Sequence, residues 1–146
     1  MASPSGSSPG YDQVEAGTQI PPRPYQVTRR DLVRYAGASG DFNVIHWNER
    51  VAKSVGLPDV IAHGMLTMAL AGRFLAEWAG DPGAVTEFAV RFSAPVVVPD
   101  DDKGALVEVA GTVAEKLADR AVRVEVTARS DETKVLTRAH AVIRLR

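Results

Sequence analysis

The chain has 146 residues, enough for one domain with a buried core. Its 45% hydrophobic and 24% charged residues and net charge of −1 describe a globular protein, and without a basic run nucleic acid is excluded as a partner. There is no cysteine, which excludes disulfides and thiolate zinc sites.

Met1 to Gly10 is almost entirely Ser, Pro, Gly and Ala, with neither the basic nor the apolar segment of a secretory signal. Residues 1–22 are expected to be a disordered leader or an extended N-terminal segment, and residues 23–146 a single domain. The lack of a signal and of cysteine fits a cytoplasmic protein. Pro21, Pro22 and Pro24 hold the chain extended, and Tyr25-Gln26-Val27 predicts a short strand. Thr28 followed three residues later by Asp31 is a helix start, with Leu32, Val33, Tyr35 and Ala36 as the apolar face and Gly37 and Gly40 as its end. A loop with Asp41 and His46 follows, then a short helix, Glu49 to Val55, capped by Asn48. A long helix is predicted from Ala62 to Ala79. It is apolar nearly all round, so burial on most sides is expected. His63, Arg73 and Glu77 interrupt it, so it is no membrane span.

The remainder alternates with period two. Thr86, Phe88, Val90 and Phe92 form one such set, Val107, Val109, Gly111 and Val113 a second, Val122, Val124 and Val126 a third, and Ala139, Ala141, Ile143 and Leu145 a fourth. This pattern predicts an antiparallel sheet with one wet face, and hairpin-sized links at Pro99–Lys103, Leu117–Arg120 and Ser130–Thr133. One long helix followed by a four-strand meander implies an α+β domain, a sheet wrapped around a helix.

The chemistry gathers in Gly40-Asp41-Phe42-Asn43-Val44-Ile45-His46-Trp47 and Ile61-Ala62-His63-Gly64-Met65-Leu66. Asp41 and His46 are five residues apart, which on a helix would set them about 140° apart, whereas a turn lets them converge. A converged acid and histidine can move protons to and from carbon and a hydroxyl; turn chemistry alone would also account for both. Gly64 opens the long helix, where a free backbone N–H can stabilise a developing enolate oxygen; equally, a glycine there can serve tight packing. Asn43 suits either a turn position or the orientation of a carboxylate. His63 is expected to be a satisfied structural histidine. A metal site from Asp41, His46 and His63 is conceivable, but their spacing matches no metal-ligand pattern, so no metal is expected. Arg23, Arg29, Arg30 and Arg34 could face an acidic carrier protein, or simply solvent.

Together, Ser39 to His46, Ile61 to Thr67, and Val90-Arg91-Phe92 with Pro95-Val96 resemble the MaoC-type hot-dog family of (R)-specific enoyl thioester hydratases and (3R)-hydroxyacyl thioester dehydratases. Gly80-Asp81-Pro82-Gly83-Ala84-Val85-Thr86-Glu87 is further similar to the catalytic beta subunit of actinobacterial (3R)-hydroxyacyl-ACP dehydratases, which works beside a MaoC-like partner. The resemblance covers roughly Pro24 to the C-terminus. It implies a hot-dog fold, with the helix Ala62–Ala79 wrapped by a curved sheet. It also implies Asp41 and His46 as the catalytic pair, Asn43 as support and the Gly64 amide as oxyanion donor. The implied substrate is an acyl-CoA or acyl-ACP, with no cofactor, no membrane and no nucleic acid. The implied assembly is a homodimer or a heterodimer with a MaoC-like subunit. Some members carry a serine two turns into the hot-dog helix where this chain has Gly72, a difference that bears on specificity.

Overall fold

The computed structural model describes residues 8–146; of the expected N-terminal leader, positions 1–7 lie outside the described residues. Strand β1 is Gln19–Val27, much longer than the Tyr25–Val27 stretch expected, and it crosses position 23, where the domain was expected to begin. Pro21, Pro22 and Pro24, expected only to hold the chain extended, lie inside it; β1 is an edge strand, where a proline whose nitrogen faces away from the neighbour costs no ladder bond. The register against its neighbour shifts between Ile20 and Arg23, the step that contains Pro21 and Pro22.

Helix α1, Arg29–Ser39, begins as expected: the Thr28 N–H donates to Asp31 Oδ2 at 2.8 Å. Leu32 and Ala36 are its buried face. Gly37 lies within the helix and does not end it; Gly40 does, with a left-handed φ of 77°. Helix α2 is Glu49–Ser54, and Asn48 Oδ1 accepts from the Val51 N–H at 3.1 Å.

Helix α3 runs Gly64–Ala79, starting two residues later than expected, with His63 at its N-cap. Its buried residues are Thr67, Ala71, Phe74, Leu75 and Ala79, a single stripe. The burial expected on most sides is not complete: Met65 is 55% exposed, Ala69 is exposed, and Gly72 and Ala76 are half-buried. One sheet covers one side of a helix, and the apolar side left over faces outward.

The remaining strands are β2 (Val85–Phe92), β3 (Ala105–Lys116), β4 (Ala121–Ser130) and β5 (Thr133–Arg144). All five pair antiparallel in the order β1-β3-β4-β5-β2. The four-strand meander expected is therefore a three-strand meander, β3-β4-β5. β2 pairs with β5 at the far edge, and Pro99–Lys103 belongs to a crossover and not to a hairpin. Alternation identifies strands but not their neighbours. The crossover, residues 93–104, earns its path through burial of Val96 and Val98 and a bridge between Val97 and Ile61. The alternating sets on β3, β4 and β5 face as expected, with Val107, Val109, Val113, Val122, Val124 and Ile143 fully buried. In the β2 set, Thr86 and Phe92 are exposed and Phe88 and Val90 only half-buried, because β2 is an edge strand. Gly111 is where α3 meets the sheet. A Cβ there would stand 3.1 Å from Ile20 and 3.3 Å from both Phe74 and Val124.

Candidate active site

Three local bonds coil the loop that follows α1. The Asp41 N–H donates to Ser39 Oγ at 3.2 Å, the Asn43 N–H to Asp41 Oδ1 at 3.1 Å, and the Ile45 N–H to Asn43 Oδ1 at 3.3 Å. Short polar side chains bonding the backbone two residues on are the physical reason the loop turns so tightly. The single 3₁₀ turn Val44–His46 follows, and it brings His46 back toward Asp41. Asn43 acts here on the backbone.

His46 is buried, and its Nδ1 lies 2.7 Å from the Ile61 carbonyl oxygen. A carbonyl only accepts, so Nδ1 carries the proton of the neutral ring and Nε2 keeps its lone pair. Nε2 is 4.0 Å from Asp41 Oδ2, and the Asp41 side chain is 52% exposed. Sequence distance is thereby converted into a buried base facing an accessible carboxylate. A gap of this size admits one oxygen within hydrogen-bond reach of both groups.

The segment before α3 supplies the other wall. The Ile61 N–H donates to the Ile45 carbonyl at 3.2 Å and the Ala62 N–H to the Val96 carbonyl at 2.8 Å, so the crossover and the Asp41 loop clamp the same short stretch. Gly64 follows as the first residue of α3 and is exposed. Its N–H, in the first helical turn, has no carbonyl four residues back within the helix to bond, and it carries the positive end of the helix dipole. A Cβ on Gly64 would lie 3.2 Å from the Phe92 ring.

His63 departs from expectation. It is buried at 1% exposure, with Nε2 at 3.0 Å from the Asp41 carbonyl oxygen, but its Nδ1 has no hydrogen-bond partner. Its ring stacks on His46 with centroids 3.8 Å apart, and the Tyr35 ring lies 4.7 Å away on another side. Burial pushes the His63 pKa below the usual histidine range, the bond to the Asp41 carbonyl acts upward, and the neighbouring His46 adds to the lowering. Sequence reasoning passed over His63 as a satisfied core residue and did not single out Tyr35 at all. The signal available was a second histidine directly before Gly64.

Ligand atoms of Asp41, His46 and His63 fall within 4.8 Å of one another, near enough to surround a cation. The two rings are stacked with only 23° between their planes, however, so in-plane lone pairs run side by side and do not converge on one point. A separate open groove of about 1120 Å³ lies between β1, α1 and α3, bordered by Tyr35, Leu66 and Leu70. Part of its charged rim is internally paired, since Arg23 and Arg73 both bond Glu77, while Arg34 on the same rim is in no ion pair among the described residues. Arg29 is likewise engaged, by Glu49, Asp59 and the Val98 carbonyl. Of the four arginines considered for a carrier, Arg30 and Arg34 are the two in no ion pair among the described residues.

A family model described as a MaoC like domain matches residues 13–130. The chain belongs to the MaoC-like domain family. Its domain is 42% identical over 79 residues to the 3-hydroxyacyl-thioester dehydratase X of Mycobacterium tuberculosis, a match covering 51% of this chain and 25% of that protein. A solved MaoC-like dehydratase superposes with a TM-score of 0.91 at 45% identity, covering 95% of this chain and 43% of the other. R-hydratase PhaJ1 from Pseudomonas aeruginosa, in the unliganded form, superposes with a TM-score of 0.81 at 28% identity, covering 93% of this chain and 84% of that one. The MaoC-like domain thus spans a quarter of the first of these relatives and under half of the second. The fold is the α+β hot dog, with α3 as its central helix. No helix among the described residues is long and apolar enough to cross a membrane.

Proposed function

We propose that this MaoC-like domain adds water reversibly to trans-2-enoyl thioesters, giving (3R)-3-hydroxyacyl thioesters. The observation that carries the reading is the 4.0 Å gap between His46 Nε2 and Asp41 Oδ2 beside the open N-terminus of α3. In hydration, a water held in that gap attacks C3 of the enoyl chain. One of its protons passes to the Asp41–His46 pair, and the pair returns a proton to C2, so atoms balance and no redox step is needed. The Gly64 N–H bonds the thioester oxygen as the enolate develops; one such donor is worth roughly 2.7–4 kcal/mol in known oxyanion holes. Dehydration runs the same steps backward. The names of the relatives, a 3-hydroxyacyl-thioester dehydratase and an R-hydratase, support both the chemistry and its stereochemical sense.

Crotonyl-CoA tests the reading directly. Hydration removes the enoyl absorbance without releasing thiol. Release of free thiol instead would assign a hot-dog thioesterase, in which the pair activates water against the carbonyl. No reaction of either kind, with a folded protein, would assign a non-catalytic partner subunit.

The assembly we propose is a dimer, either of two copies or with a MaoC-like second subunit, working on acyl chains of fatty-acid metabolism in the cytoplasm. The outward apolar side of α3, with Met65 at 55% exposure, and Phe92 at 50% on the open edge strand β2 support it. Light scattering should give the mass of two chains or more, and a fully active monomer at assay concentration would rule the assembly out.

A further inference from the structure

His63 has no step in the chemistry above, yet it touches both groups that do. Its Nε2 reaches the Asp41 backbone carbonyl at 3.0 Å, and its ring lies flat against His46 at 3.8 Å. The position is costly for an imidazole, because its Nδ1 is buried without a partner, and an unsatisfied buried polar group typically costs about 1–3 kcal/mol. An apolar side chain would fill the space without that cost. It would not donate to Asp41.

We propose that His63 is a positioning residue for the Asp41–His46 pair, tying the Asp41 backbone by its Nε2–H and seating the His46 ring by stacking. The proposal rests on the reading of Asp41 and His46 as the catalytic pair. The geometry explains why two separate restraints are needed. The Asp41 side chain is half exposed, and its loop is otherwise held by bonds within Ser39–Ile45. His63 supplies a bond from outside that loop. His46 is hinged by the single Nδ1–H bond to Ile61, about which the ring could swing; the stacked face of His63 removes that freedom.

The role also requires His63 to stay neutral. The ionisable groups facing it are Asp41 and His46 from the loop and Tyr35 from α1. Protonation would place a buried N–H at Nδ1 with no acceptor and set a positive ring against His46. A neutral, Nε2-protonated His63 leaves the proton traffic to the Asp41–His46 pair.

The experiment uses two substitutions and one measurement on the unaltered protein. His63→Phe keeps an aromatic plate but loses the donor; His63→Gln keeps an amide donor but loses the plate. Each should lower kcat for crotonyl-CoA hydration by about tenfold or more, since small misplacements of reacting groups carry penalties of that order, with KM little changed. Each should also change the pH profile of kcat, which a merely structural role would not move. The chain has three histidines, so the ring signals can be assigned by substitution. In the unaltered protein, NMR nitrogen–proton correlations should show His63 protonated at Nε2 and bare at Nδ1, and this readout stands even where a variant fails to fold. A His63 protonated at Nδ1 in the neutral ring would overturn the proposal. So would folded variants with unchanged kcat and an unchanged pH profile, or losses that merely track the folded fraction. If Asp41→Asn is inactive while both His63 variants behave as the parent, this inference fails and the proposed function stands. If Asp41→Asn stays active, the proposed function itself fails.

Discussion

Asp41→Asn isolates proton transfer from architecture. The side chain is 52% exposed, and its one described side-chain bond accepts the Asn43 N–H at 3.1 Å, which an amide oxygen can also accept. Stability should therefore change by no more than about 0.5 kcal/mol, the range of exposed substitutions without a special role. From 4.0 Å away the amide can still hold a water against His46, but it can neither take nor return a proton. The expected loss in kcat is about 10²–10⁴-fold, equivalent to roughly 2.7–5.4 kcal/mol on the barrier. KM should move little, because in the proposed reaction Asp41 acts on water while the Gly64 amide holds the thioester oxygen. The assay is steady-state hydration of crotonyl-CoA, with thermal unfolding by circular dichroism run in parallel. A variant that unfolds like the parent and keeps kcat within about threefold, far short of the usual acid–base contribution, refutes the reasoning.

His46→Gln should match Asp41→Asn in kcat loss, and the double variant should lose little more than either alone, since groups acting as a unit are non-additive; additive losses would separate their roles. Gly64→Ala should leave the fold intact or slightly stabilised, by up to about 1 kcal/mol for Ala over Gly in a helix, because Phe92 is half exposed and can yield to the new methyl. The same methyl crowds the approach to the amide, so a drop in kcat with unchanged melting is expected, and unchanged kcat would remove Gly64 from the site. The lowered pKa of His63 has a stability signature. The unfolded chain takes up the proton first, so the contribution is fully present above the unfolded value of about 6.5 and is lost as pH falls from there toward the folded value. Urea midpoints should fall over that window, and His63→Gln should flatten the fall; an unchanged slope would contradict it.

What could be read ahead of the structure follows from how local each signal is. The Thr28–Asp31 and Asn48 caps, and the faces of β3 and β4, depend on residues a few positions apart, and they form as expected. Strand β1 was underestimated because prolines stop a strand only when it is interior, and edge position is a property of the whole sheet. The order β1-β3-β4-β5-β2 was likewise out of reach, because alternation carries no information about partners. At the site, the five-residue spacing allowed Asp41 and His46 to meet without requiring it. Their actual distance is set by Ile61, which bonds both Ile45 and His46 across the fold. The stacking of His63 on His46 arises from that same clamp, so nothing within the Ile61–Leu66 motif alone could disclose it.

The three prolines of β1 limit how large an assembly can grow. A sheet with two usable edges can add neighbours at both and extend as a filament. Here one edge strand carries Pro21, Pro22 and Pro24, each lacking an amide hydrogen, while the other, β2, has no proline. Edge pairing through β2 therefore consumes the one edge still able to accept a strand, and two joined chains present only blunted ends. A pair joined through β2, as proposed, would thus be closed by the composition of the strand on the opposite edge of the sheet.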